Sequence, residues 1–290
     1  MAIVTRVLAS LFLLSGILSC DPSAKDEKGD GTTSKAVFVY DLTQPAETYI
    51  LPKELKEISG VAYFGENQLI CVQDEKGEVF VYDVSQQKIT QQHRFGPDDD
   101  YEGIEKIDDE IYVLRSDGTL FNFKLGNKET REIATTLPGK NDVEGLTYDF
   151  ATKRLWLAVK EASKKAAKDN DKVIFSFDLK SRRVFTEREL KEKQFQQVGF
   201  KGKDWQDFKP SDIASHPQTG ELFLLSSAGH RLVIFSPQGV AIKNIALDPK
   251  QFRQPEGICF TPDGTLYISS EGDGKEGYIL KFNPLSEKTL

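Results

Sequence analysis

The chain is poor in the residues that most often carry chemistry. Its 290 residues include three histidines and three cysteines. His93 lies in an outer-strand pattern, His216 in the turn "SHPQTG" and His230 after Gly229 in another turn. None stands beside an acid and a nucleophile in a recognisable motif, which disfavours a serine hydrolase or a histidine-dyad lactonase. There is no Cys-x-x-Cys pair and no histidine near a cysteine, so a thiolate metal site has no support. A basic excess is missing too: 38 Lys and Arg face 45 Asp and Glu, for a net charge of −7. Nothing in that balance neutralises a phosphate backbone, which excludes nucleic acid as the expected partner. An acidic surface instead suits a soluble domain that attracts cations. Long amphipathic helices are absent, and no apolar run reaches the roughly 20 residues a membrane-spanning helix needs. The two tryptophans, Trp156 and Trp205, have no basic groove beside them and read as packing or rim residues.

What is present begins with a targeting pattern. Arg6 precedes an apolar run over residues 7–14, followed by Ile17-Leu18-Ser19-Cys20, which resembles the bacterial lipobox. The expectation is a signal peptide over residues 1–19 and lipidation at Cys20, because two or more acyl chains on one residue make a stable anchor. The protein would then sit on a membrane of the bacterial cell envelope, the outer membrane if the host is diderm, with its soluble domain outside the cytoplasm. Residues 20–34 carry no apolar side chain larger than alanine after Cys20 and read as a flexible tether. The folded domain is expected over residues 35–290. Within it, Cys71 and Cys259 sit in apolar strand patterns and read as small hydrophobes. A disulfide between them stays open.

An internal repeat decides the fold class. "EISGVAYFGENQLICVQDEKGEVFVYDV", "DYEGIEKIDDEIYVLRSDGTLFNFKL", "DVEGLTYDFATKRLWLAVKEA", "KPSDIASHPQTGELFLLSSAGHRLVIFSP" and "QPEGICFTPDGTLYISSEGDGKEGYILKF" share one grammar of strand, turn, strand, turn, strand. The repeat position runs through Gly60, Gly103, Gly145, Asp212 and Gly257. Three of the four intervals match the roughly 40 to 50 residues of one propeller blade. The long one carries insertions at residues 161–171 and 187–208, the second expected to hold a short surface helix. A fourth strand follows each of the first four repeats ("KITQQHRF", "TREIATTL", "RRVFTEREL", "GVAIKNIAL"), and the fifth ends without one. The N-terminal "ETYILP" supplies the match, so an all-β, five-bladed β-propeller of four-stranded blades is predicted, its ring closed by pairing chain start with chain end. Residues 36–42 look like one more third strand and keep a six-bladed count open.

At these repeats the sequence resembles the SdiA-regulated, YjiK-like family of bacterial envelope propellers, distantly similar to NHL-repeat proteins. The likeness rests on "EISGVAY", "DYEGIE", "VEGLTYD..TKRLWLAVKE", "PSDIASHPQTGELFLLSS" and "QPEGICFTPDGTLYISSEG", an ordered set spanning about residues 40–282. The resemblance implies a five-bladed propeller with a calcium site, a regulatory or unknown role and no firmly assigned reaction. The second-blade hairpin departs from that pattern, since Arg115 stands in "LRSDG" where an acidic pair is usual.

In a propeller the first strand of each blade lines the axis, so Ser59, Glu102, Glu144, Ser211 and Glu256 should converge on one channel mouth. Carboxylates gathered in a ring either raise their pKa values or recruit a cation, and oxygen-only donors suit Ca²⁺. Glu102, Glu144 and Glu256 are therefore the expected metal residues. Against this stands the simpler reading in which each glutamate bonds backbone amides of the next blade. Asp74, Arg115, Lys160, Glu161, Ser270 and Glu271, at the ends of second strands, join Ser59, Ser211 and Asp212 as candidate ligand-pocket residues. Asp117-Gly118 and Asp263-Gly264 read as hairpin turns. The function expected is a monomeric, calcium-binding module that takes a small ligand or an envelope protein without catalysing a reaction. The alternative is a metal-dependent hydrolase of phosphoesterase or lactonase type, with Arg115 and Lys160 to hold a phosphate.

Overall fold

The computed structural model describes residues 40–167 and 171–285. The signal peptide, Cys20 and the tether expected before residue 35 lie outside the described residues. Short β-branched and aromatic runs separated by Gly, Asn and Asp turns form twenty strands in five four-stranded antiparallel sheets. Blade 1 comprises β2 (Ile58–Gly65), β3 (Gln68–Gln73), β4 (Glu78–Asp83) and β5 (Lys88–Arg94). Blade 2 holds β6 (Tyr101–Ile107), β7 (Glu110–Arg115), β8 (Leu120–Phe123) and β9 (Thr130–Ile133). Blade 3 holds β10 (Asp142–Asp149), β11 (Arg154–Glu161), β12 (Lys172–Asp178) and β13 (Arg183–Leu190). Blade 4 holds β14 (Asp212–Ser215), β15 (Leu222–Ser226), β16 (Arg231–Phe235) and β17 (Ala241–Ala246). Blade 5 is β18 (Gln254–Phe260), β19 (Leu266–Glu271), β20 (Tyr278–Phe282) and, from the chain start, β1 (Glu47–Ile50).

The innermost strands close a ring, β2 against β6, β6 against β10, β10 against β14, β14 against β18 and β18 against β2. Middle strands such as β4 and β12 bury both faces, because sheets stack face to face, whereas the outer β5 is mostly exposed and correspondingly polar. The core is accordingly five apolar layers, one between each pair of neighbouring blades. β1 pairs antiparallel with β20, Tyr49 opposite Ile279, so the expected closure of chain start on chain end is realised. Both free cysteines are buried thiols in the layer between blades 5 and 1, and no disulfide joins them.

One expectation needs correction and another needs an addition. The five sheets leave no sixth blade among the described residues: Tyr40 and Leu42 are not in a strand but pack into the layer between blades 4 and 5. The Tyr40 hydroxyl donates to Gly264 O at 2.6 Å and meets His216 Nε2 at 2.8 Å. The second insertion holds short helices at the surface, as expected, but its aromatic side chains reach inward. These helices are α1 (Glu192–Gln196) and α2 (Asp204–Asp207), whose Phe195 and Trp205 are buried with Phe200 and Phe208 in the layer between blades 3 and 4. Four aromatic side chains on so short a segment can leave water only by packing into that layer.

Candidate ligand site at the channel mouth

The repeat glycine lets the inner strands meet at the axis. A Cβ at Gly103 would come 2.8 Å from Leu146 Cβ and 3.1 Å from Glu144 O, and one at Gly145 would lie 2.9 Å from Asp212 Cα. Just before the glycine, four blades carry a β-bulge. Val143 pairs with Val159 and Gly145 with Ala158, so Glu144 has no partner opposite, and the same shift passes over Ser59, Glu102 and Glu256. A bulge re-aims its extra residue out of the ladder, which is how the sequence delivers these side chains to the axis.

Ser59 and Ser211, proposed for the pocket, act instead as staples between blades. Ser59 Oγ donates to Tyr101 O at 2.7 Å and Ser211 Oγ to Pro255 O at 2.8 Å, each reaching the following blade, and both serines are buried. Asp212 is likewise internal. Its carboxylate accepts from the amides of Ile258 (2.7 Å), Ile213 (2.8 Å) and Leu146 (3.2 Å), joining blades 3, 4 and 5. Burial pushes its carboxyl up while those three amides favour the charged form. Glu105 makes a similar link, accepting from Tyr148 N at 2.8 Å and from the Thr147 hydroxyl at 3.3 Å. Amide bonding of the kind considered for the glutamate ring therefore exists in this channel, but on Asp212 and Glu105.

The ring glutamates face one another electrostatically. Burial, then the charges of Glu144 and Asp100, pushes the Glu102 carboxyl up to about 10. Glu144 is raised to about 8 by burial against the pull of Lys160, its ion-pair partner. Burial also raises Glu256, opposed by Lys160. Among the second-strand ends, Glu271 is pushed up to about 8 by burial and by the charges of Glu256, Asp74 and Glu57. Asp74 is raised to about 6 by burial, then by Glu57, Glu75 and Asp100. Its Oδ1 and the Ser270 hydroxyl are buried without a hydrogen-bond partner among the described residues. Burial works against the charge of Lys160, but Glu144, Glu256 and Asp142 outweigh it and hold the ammonium above the usual lysine range.

The remaining pocket residues divide. Arg115 is tied to Asp117 at 2.9 Å, Asp99 at 3.1 Å and Glu132 at 3.7 Å and lies over the Phe121 ring, so it is not open to a ligand. Glu161 is paired with Lys209 at 2.5 Å. Asp117 and Asp263 each accept a backbone amide two residues on, with Gly118 and Gly264 at positive φ, as their turn reading requires. The histidines are dispersed: His93 stacks on Phe123 and His230 Nε2 lies 3.2 Å from Arg253 O.

An outer set of residues escaped the repeat comparison. Two positions before each bulge stand Glu57, Asp100, Asp142 and Gln254, with Lys209 at the equivalent position of the bulge-free fourth blade. Asp100 acts on Glu102, Asp142 on Glu144 and Glu57 on Glu271. The period of two along a strand was signal enough to find them. Among the described residues, no three or more acids, histidines or cysteines are grouped so as to hold a metal ion. The donors suit a hard cation in kind, but they are not assembled into a cage for one.

The fold has relatives of known structure. A luciferin-regenerating enzyme is 14% identical with a TM-score of 0.53, over 84% of this chain and 96% of that one. The glutaminyl cyclase of Myxococcus xanthus is 9% identical with a TM-score of 0.52, over 83% and 95%. A streptogramin B lyase is 12% identical with a TM-score of 0.51, over 82% and 97%. At such identities the likeness concerns the fold alone. No curated protein matches the sequence. The SdiA-regulated family model does match, over residues 52–273, a stretch that takes in the four bulges before the repeat glycine, the whole of blades 1 to 4 and the two inner strands of blade 5. The chain belongs to the SdiA-regulated family.

Proposed function

We propose that the protein is a lipid-anchored, monomeric ligand-binding propeller of the bacterial cell envelope, whose channel mouth receives a small cationic group. The observation that carries this reading is the buried, unpartnered Asp74 Oδ1 set among carboxyls that raise one another's pKa values. Buried polar atoms are nearly always bonded, so an orphan facing like-charged neighbours is a place where a cation lowers the energy. Ca²⁺ is the metal that oxygen-only donors suit; of the three ring glutamates expected to hold it, Glu102 and Glu256 would offer their oxygens, joined by Glu271 and Asp74, whereas Glu144 is taken by Lys160. Because they are not gathered into a cage, weak calcium affinity is expected. The hydrolase alternative has less support: of its two phosphate-holding candidates, Arg115 is committed to three acids and Lys160 to Glu144.

The test is thermal melting of the full chain in calcium, in n-pentylamine and in chelator. Binding to the folded form alone at a hundredfold excess over Kd stabilises by about 2.7 kcal/mol, enough to raise the melting temperature visibly. Identical melting in all three solutions would sink the reading.

A further inference from the structure

Beside the acid mouth the long third interval builds something the other blades lack. The ends of β11 and β12, together with α2 and Lys209, enclose a cleft of about 300 Å³. Lys160, Glu161, Lys172, Trp205, Gln206 and Lys209 stand in its wall. Lys160 also belongs to the mouth through Glu144, so cleft and mouth share a wall. The charges inside do not cancel in pairs. Lys209 takes Glu161 and Lys160 takes Glu144, whereas Lys172 has no ion pair among the described residues. Its ammonium lies 4.8 Å from the centre of the Trp205 ring, whose face is its main support. Burial and the neighbouring Lys209 push the Lys172 ammonium below its ordinary value, with Glu161 only partly opposing. A half-buried cation with no ion-pair partner among the described residues, and only the partial pull of Glu161, is relieved by an incoming anion.

We propose that this cleft is the anion subsite of the ligand site, taking a carboxylate between Lys172 and Lys209, with the Trp205 face left to the Lys172 ammonium. The ligand of the propeller is then a small zwitterion, its carboxylate in the cleft and its ammonium at the acid mouth. This deepens the reading of the mouth as a cation site and rests on it. A single carboxylate matches Lys172, the one lysine of the wall without an ion pair among the described residues; with Asp171 counted, three lysines already face Glu144, Glu161 and Asp171, so the cleft has no charge to spare for a second negative unit. A phosphate dianion would be repelled by Glu161 and Asp171, which also line the cleft.

The experiment compares three probes that share a chain, n-pentylamine, valerate and 5-aminovalerate, by calorimetric titration of the full chain. Phosphoethanolamine serves as the phosphate counterpart. One charge-assisted contact is worth about tenfold in affinity, so 5-aminovalerate should bind about tenfold tighter than pentylamine. In Lys172→Met, which keeps the stem over Trp205, the difference between the two should collapse. Lys209→Met tests the opposite wall and replaces the first variant should that one fail to fold. If 5-aminovalerate binds no better than pentylamine, or keeps its advantage in the variant, the subsite is wrong while the cation reading stands. If valerate binds in a Lys172-dependent manner and pentylamine does not bind, the cation reading fails and the anion subsite survives. Failure of every probe overturns both, and preference for phosphoethanolamine overturns the carboxylate assignment.

Discussion

Burial and its acidic neighbours push the Glu102 carboxyl up to about 10 in the folded chain, against an ordinary value of 4.5. Between those limits the folded state binds more protons than the unfolded one, so stability is greatest at the acid end and declines as pH rises. Glu144 and Glu271, both raised to about 8, act in the same direction over the lower part of that window. The melting temperature is therefore expected to be lower at pH 9 than at pH 6. Glu102→Gln, which fixes the neutral form, should flatten the decline. Differential scanning fluorimetry across that range reads it directly, and a wild-type profile that rises with pH would refute the assignment. The three ring glutamates were legible in the sequence because a repeat puts equivalent residues around one axis. That Lys160 enters the ring and pairs with Glu144 was not legible, since its position at the end of β11 does not say which way a long side chain turns. Nor could sequence show that Arg115 faces three acids of its own, which removes it from the pocket.

The elements divide between those that repeat and those that do not. Ring closure could be read in advance because the fifth repeat lacks a fourth strand and the chain start offers one. Its contribution is measurable at Tyr49, which is buried in the layer between blades 5 and 1 against Tyr82. Tyr49→Ala should cost about 3–5 kcal/mol, checked by urea unfolding, and a loss below about 1 kcal/mol would mean that β1 adds little to closure. The insertions follow no repeat, and the inward reach of the second one was not legible for that reason. Phe195, Phe200, Trp205 and Phe208 keep neither the helical period nor the strand period, so spacing could not reveal that they fill the layer between blades 3 and 4. The first insertion has a smaller part. Ala166 and Ala167 pack partly against the layer between blades 2 and 3. Deleting residues 164–170 should cost about 1–2 kcal/mol and leave a single cooperative melt, whereas loss of cooperativity would show that blade 3 depends on it.

For the whole molecule, the proposed membrane attachment would rest on Cys20; no helix among the described residues is long and apolar enough to cross a bilayer. Cys20→Ala should move the protein from the membrane pellet to the soluble fraction. Pelleting that persists after a high-salt wash would count against the lipobox. An anchor at Cys20 also makes the chain start the point where any tension enters the domain. Among the described residues the pull meets Tyr40 first, held by Gly264 and His216, then Leu42, whose carbonyl accepts from Gln251 Nε2 at 2.6 Å, and then the four residues of β1. Those three contacts lie in series along the load, and the last is the seam of the ring. Stretching the tether would therefore open the propeller at its closing blade before straining the other four, making the strand that completes the circle also its mechanical fuse.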